Sequence, residues 1–107
     1  MSEDIIYTDS YDFEQRIEHG VRLVLFYSDR CVQSRALLPI LEEIADAFYD
    51  SIRILAVDVE QSPDLCDVFA IDQTPVVLFF SNGRLAERLN GANPPSAYTD
   101  VIDELLQ

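Results

Sequence analysis

Two hydrophobic periods alternate along the chain. Residues 21–27 form a nearly continuous apolar run rich in β-branched and aromatic types, which is how a strand covered on both faces reads. From Cys31 onward the period changes. Leu37, Leu41, Ile44 and Phe48 recur at spacings of three and four, with Ala36, Leu38, Ile40 and Ala45 widening the stripe. This pattern predicts a helix of about 19 residues, kinked at Pro39. Residues 52–59 return to strand character, and residues 63–69 have room for two helical turns, with Ser62 as N-cap and Pro63 at the first helical position. Pro75 leads a third central strand ending at Phe80, and Ser81-Asn82-Gly83 signals a hairpin into a further strand over residues 84–89. Asn93-Pro94 opens a last helix whose apolar positions Tyr98, Val101, Ile102 and Leu105 share a face. Ahead of all this, Ile5 to Tyr7 is a short apolar run. Asp9 or Ser10 can then cap a two-turn helix that carries Phe13 and Ile17 and closes at His19-Gly20.

The resulting order is β-α-β-α-β-α-β-β-α. Strand-helix-strand units imply parallel pairing through crossovers, while the Asn-Gly hairpin adds an antiparallel partner. A mixed sheet with helices on both faces follows, an α/β architecture. At 107 residues with 49% hydrophobic content, the chain fills one core and no second. Neither repeat nor linker divides it.

Charge and cysteine content narrow the setting. Twenty acidic residues stand against seven basic ones, every one an arginine, for a formal net charge of −13. Such a field repels nucleic acid and anionic membranes and favours basic or neutral partners. A solvated acidic surface accounts for it most simply; a salty environment or a biased genome are alternatives. The N-terminus lacks the basic and long apolar segments of a targeting signal, and no run approaches the roughly 20 apolar residues that span a bilayer. A cytoplasmic monomer is expected. Cys31 and Cys66 make no disulfide scaffold and, with the lone His19, no metal cluster, so two reduced thiols are expected. His19 reads as a helix-terminus or solvent-facing residue.

The chemistry concentrates in Ser28-Asp29-Arg30-Cys31-Val32-Gln33-Ser34-Arg35. Cys31 falls where the buried strand ends and the long helix begins, the sheet edge at which ligands meet open α/β folds. Free amides and partial positive charge at a helix N-terminus favour thiolate, Arg30 and Arg35 add cationic character, and Asp29 opposes it. A thiol at its ordinary pKa of ~8.5 is only a few per cent ionised at neutral pH, whereas one brought to ~7 is about half ionised. Ser34 lies one turn above Cys31 and can donate a hydrogen bond to the thiolate, but a hydroxyl forms no disulfide. A mixed disulfide on Cys31 must therefore be resolved by an external thiol or a second thiol of the client. Farther on, Thr74-Pro75 precedes a strand, where a cis peptide would turn the preceding backbone outward; an ordinary trans bond is the commoner case.

Cys-X-X-Ser at a strand-to-helix junction, Pro39 within that helix, Thr74-Pro75 before Val76-Val77-Leu78-Phe79-Phe80, then Asn82-Gly83 and Gly91-Ala92 together resemble the thioredoxin family in order and spacing. The resemblance covers essentially the whole chain. It implies a thioredoxin fold: a central mixed four- to five-stranded sheet flanked by four helices, with a cis bond before Pro75 packed beside Cys31. It also implies Cys31 as nucleophile with Ser34 beside it. Client contacts are implied at Arg30, Val32, Gln33, Thr74, Pro75 and the Asn90-Gly91-Ala92 segment, the backbone near Pro75 pairing with an extended client as an added strand.

Departures from the family are equally informative. Its typical Trp-Cys-Gly-Pro-Cys is replaced by Arg30, Cys31, Val32, Gln33 and Ser34, which removes a flat apolar contact and the reversible disulfide. The family's buried aspartate and its lysine partner, which serve the second thiol, are matched by Leu25 and Ala56. With one thiol neither charge is needed, and burying them costs desolvation energy. Apolar residues at both positions favour a chain that diverged to one thiol over a laboratory serine replacement at position 34. The leading expectation is monothiol thiol-disulfide exchange on client proteins or small thiols and disulfides, in redox homeostasis, without a bound cofactor and with glutathione or a similar thiol as co-substrate. Full dithiol reductase activity is not expected. The rival is a redox-inactive adaptor that keeps the fold and the groove near Pro75. Bridging an iron-sulfur cluster with glutathione is disfavoured, because Val32-Gln33 replaces the Gly-Phe pair of monothiol glutaredoxins. Cys66, among Leu65, Val68 and Phe69, reads as a partly buried packing residue away from Cys31.

Overall fold

Alternation along the central strands sorts their side chains into two apolar layers. In the computed structural model, which describes residues 5–107, Val21, Leu23 and Leu25 of strand β2 (Val21–Tyr27) enter one core cluster, while Val24 and Phe26 enter the other. Strand β3 (Ile52–Asp58) divides Ile52, Ile54 and Ala56 from Leu55 and Val57 in the same way. Strand β4 (Val76–Ser81) divides Val77 and Phe79 from Val76, Leu78 and Phe80. Period-two alternation within apolar runs is what burial on both faces requires.

Helices supply the two covers. Over the first layer lie Leu37, Leu41, Ile44 and Ala45 of α2 (Val32–Ala47) and Tyr98 and Ile102 of α4 (Pro95–Leu105). Over the second lie Phe13 of α1 (Phe13–Arg16), the following Ile17, and Leu65 of α3 (Pro63–Val68). With β1 (Ile5–Tyr7) and β5 (Arg84–Asn90) at the edges, the five strands run in the order β1-β3-β2-β4-β5. The β1-β3 and β3-β2 pairings are parallel, and the β2-β4 and β4-β5 pairings antiparallel. The sheet is mixed, as expected, and five-stranded. Asn82 and Gly83 form the two-residue hairpin turn with φ of 51° and 85°, the left-handed geometry that suits this dipeptide. Among the described residues no helix is long and apolar enough to cross a membrane.

Three local expectations change. The long helix covers 16 residues rather than about 19, and runs through Pro39; Phe48 is its C-cap, outside the helix yet still packed on the core. Helix α1 is a single turn of four residues, and Ile17 caps it while packing inward. Its start is not capped by Asp9 or Ser10. Asp9 instead accepts from the Tyr11 amide and Ser10 donates to Asp64, while Ser62 caps α3 with no side-chain bond although it is buried.

Asp12 organises the β1-α1 corner. Its carboxylate accepts from the Thr8 hydroxyl, the Asp9 amide and the Arg16 Nε. The Thr8 bond foremost, against the opposing effect of burial, holds its pKa down at about 2. A depressed carboxyl pKa contributes stability above the unfolded value of ~3.9, and that contribution is lost as pH falls through the folded value. Asp12→Asn should therefore cost about 1 kcal/mol at neutral pH. The gap from wild type should close between pH 4 and pH 2, as measured by urea unfolding at each pH.

Candidate active site at the strand-to-helix junction

Cys31 is the N-cap residue of α2, extended at φ −97° and ψ 115°, and partly exposed. A polar clamp centred on Ser28 sets it there. The Ser28 carbonyl accepts from the Cys31 amide at 3.0 Å, the Ser28 hydroxyl accepts from the Arg30 amide, and the Ser28 amide donates to Ser34 Oγ at 3.4 Å. Serine just after a strand favours such a turn by bonding to the backbone two residues on. Its role here, however, follows only from the three-dimensional contacts.

Ser34 is fully buried beneath Cys31. Because its oxygen already accepts from the Ser28 amide, its own hydrogen is free to point at sulfur. The Ser34 hydroxyl is the foremost cause that brings the Cys31 pKa down to about 7, followed by the Thr74 side chain and the Ser34 amide; burial opposes them, and the Gln33 amide adds a smaller lowering. Hydrogen bonds to the charged form of a group favour that form. A pKa near 7 raises the thiolate share at neutral pH well above the few per cent of an ordinary thiol, and in the thiol state Sγ donates to the Thr74 carbonyl at 3.5 Å.

The arginines act otherwise than their sequence positions suggest. Arg35 is turned to the Asp29 carbonyl at 2.8 Å, and Arg30 lies 3.5 Å from Glu60 with its side chain 85% exposed. Hydrogen bonds from Ser34 and Thr74, not these two charges, are foremost in lowering the Cys31 pKa. Solvent screens an exposed charge, and Arg30 already faces a carboxylate.

The peptide bond between Thr74 and Pro75 is cis, which brings the Thr74 carbonyl to Cys31. Pro75 is buried, and its carbonyl accepts from the Gly91 amide at 2.8 Å. Gly91 has φ of 74°, a conformation costly for a residue with a side chain. Asn93 and Tyr98, which the sequence pattern places only at the opening and on the apolar face of the last helix, hold this loop. The Asn93 side-chain amide donates to the Asn90 and Gly91 carbonyls, and the buried Tyr98 hydroxyl donates to the Gly91 carbonyl and accepts from the Asn93 amide. Tyr98 also stacks on Phe79 at 6.4 Å between ring centroids, anchoring the loop to the sheet.

Cys31, Ser34, Thr74, Pro75 and Gly91 thus share connected backbone and side-chain contacts. Arg30, Val32 and Gln33 form an exposed border on the helix side, and Ala92 is exposed in the loop that follows Gly91. Beneath the junction, Leu25 and Ala56 are register partners on β2 and β3 and fully buried, with Val77 opposite Leu25 on β4. Cys66 lies on α3 against the other core layer, and burial pushes its thiol pKa up, aided by Asp67 and Asp64. Both cysteines are free. His19 is solvent-facing, 3.5 Å from Glu18. Among the described residues no cluster of metal-ligating side chains occurs.

A family model described as thioredoxin matches residues 4–104. A thioredoxin of Staphylococcus epidermidis is 31% identical over 99 residues, which cover 92% of this chain and 94% of that one. A thioredoxin of Staphylococcus aureus is 28% identical over 102 residues, 95% of this chain and 98% of its own. A solved mutant thioredoxin from Halobacterium salinarum superposes with a TM-score of 0.89, covering 100% of this chain and 96% of its own. At 22% identity, that likeness speaks to the fold alone.

Proposed function

The chain belongs to the thioredoxin family, and from that premise we propose that Cys31 carries out thiol-disulfide exchange as a single thiol. The observation that carries the reading is the pairing of a thiol whose pKa lies near 7 with a serine where a resolving sulfur would stand. The Cys31 thiolate attacks one sulfur of a client disulfide. A new S–S bond forms, the client's S–S bond breaks, and the departing sulfur leaves as thiolate and takes a proton from water. Ser34 cannot attack that mixed disulfide, so a second client thiol or an external thiol such as glutathione does so, releasing Cys31 as thiolate and keeping the electron count balanced.

The same arrangement supports binding of an extended client. The backbone at Thr74 and Pro75, next to the loop of Asn90, Gly91 and Ala92, provides a place for an added strand, with Arg30, Val32 and Gln33 bordering it. Clients are disulfide-bearing proteins or small disulfides. Leu25 and Ala56 fit this economy, because proton transfer to and from a second buried thiol is not required.

The test combines exchange and capture. With Cys66 replaced to leave one thiol, the protein should react with a small aromatic disulfide in a step whose rate rises through a midpoint near pH 7. Cys31→Ala should abolish the reaction. Partners retained by Cys31→Ala in the presence of reductant, with a slow and ordinary Cys31 in the parent, would instead identify a redox-inactive adaptor.

A further inference from the structure

Three of the seven arginines gather far from Cys31, in a chain whose net charge is −13. Arg22 and Arg53 are register partners near the starts of β2 and β3, and Arg16 approaches from α1. The three line a cavity of about 300 Å3, in which Asp12 is the only carboxylate among the described lining residues. That space is many times the ~30 Å3 share of one water. Five residue steps of strand carry the chain from Arg22 to Tyr27, about 16 Å at the usual rise, and Cys31 lies farther still along the chain.

The guanidinium groups are positioned rather than loose. Arg22 Nε donates to the Arg16 carbonyl at 3.1 Å and its Nη1 to the Val21 carbonyl at 3.1 Å, leaving Nη2 and one further hydrogen uncommitted by these bonds. Its guanidinium lies folded over Gly20, where a Cβ would come within 3.0 Å of Nη1. Arg53 is held by the Ile52 carbonyl, and Arg16 by Asp12. Burial foremost, then the Arg53 charge, pull the Arg22 pKa below its ordinary value, so the two cations meet at a cost.

We propose that this cavity binds a small phosphate-bearing solute, held as a dianion by the guanidinium groups of Arg16, Arg22 and Arg53. Three cations against the one carboxylate leave the described lining at a formal charge of two positive, which a phosphate dianion neutralises. The field of the whole chain resists anions, so a bound one is held by short directed bonds rather than by long-range attraction. Guanidinium forks supply those bonds bidentately, and a phosphate group, with roughly −1.5 to −2 charge and three acceptor oxygens, can engage more than one fork at once. A carboxylate offers less charge and fewer oxygens.

Inorganic phosphate at pH 8, where it is a dianion, is the probe, titrated into the protein while backbone amide NMR shifts are followed. Malonate at the same concentration and sodium chloride at matched ionic strength are the comparison arms. Saturable shifts confined to the surroundings of Arg16, Arg22 and Arg53 are expected with phosphate alone. Arg53→Gln and Arg16→Gln, both at exposed positions, should each weaken the affinity about tenfold, the loss typical of one charge-assisted pair. Cys31 alkylation should be unchanged at saturation. Linear shifts matched by sodium chloride, or wild-type affinity retained in either variant, overturn the site; equal saturation by malonate overturns the assignment to phosphate.

Discussion

Leu25→Asp is expected to destabilise the protein by about 3–5 kcal/mol at pH 7, through an unpaired charge in a dry interior. The site is fully buried, with Ala56 and Val77 as register partners on its two sides and Leu37 and Leu41 in the same core cluster. Desolvation raises a buried carboxyl pKa. In the unfolded chain the new aspartate loses its proton near pH ~3.9, while the folded protein holds that proton to a higher pH, so each intervening pH unit costs about 1.4 kcal/mol. The penalty should therefore be much smaller at pH 4, where only lost packing and a neutral buried acid remain. Urea unfolding at pH 4 and pH 7 checks this. Adding Ala56→Lys should recover part of the loss at pH 7, because the register places the opposite charge on the neighbouring strand. A Leu25→Asp protein as stable as wild type at pH 7 would show that position 25 is hydrated, and would remove the argument that the apolar pair is suited to a one-thiol site.

What the sequence made legible, and what it did not, follows from what hydrophobic periodicity measures. Alternation reports burial. It located β2, β3 and β4, and the Asn82-Gly83 dipeptide located the hairpin because a two-residue turn demands positive φ there. Burial and helical hydrogen bonding part company at element ends. Phe48 and Ile17 continue the apolar stripe and do pack on the core, but as C-caps they no longer belong to the helices. The corner before α1 was opaque for a related reason, since the polar residues near it bond to one another and to Asp64 rather than to the helix amides.

The site divides similarly. Cys31, Ser34 and the Thr74-Pro75 step could be placed by the family pattern, and the structure brings them into contact. Arg30 and Arg35 were assigned to the thiol by proximity along the chain, yet a long side chain turns toward its nearest partner, here Glu60 for one and the Asp29 carbonyl for the other. Ser28, Asn93 and the Tyr98 hydroxyl could not be singled out. Their work is side-chain bonding to loop backbone, which leaves no period in the sequence.

Ser34→Ala should raise the midpoint of Cys31 alkylation by about one pH unit from its starting value near 7, because it removes the foremost hydrogen bond to the thiolate. The rate at a single pH is a poor readout. A midpoint near 8 lowers the thiolate fraction at pH 7 from about half to about a tenth, but the more basic thiolate is intrinsically about threefold more nucleophilic. These effects offset, leaving only about a twofold slower reaction at pH 7 and a faster plateau above pH 9. The full pH profile, measured with Cys66 replaced, separates the two contributions. Ser34→Thr, which retains a hydroxyl, should keep the low midpoint if its added methyl is accommodated, and circular dichroism will show whether the fold is intact. An unmoved midpoint in Ser34→Ala would transfer the acidity of Cys31 to Thr74 and the first amides of α2, leaving Ser34 with its bond to the Ser28 amide as its only role.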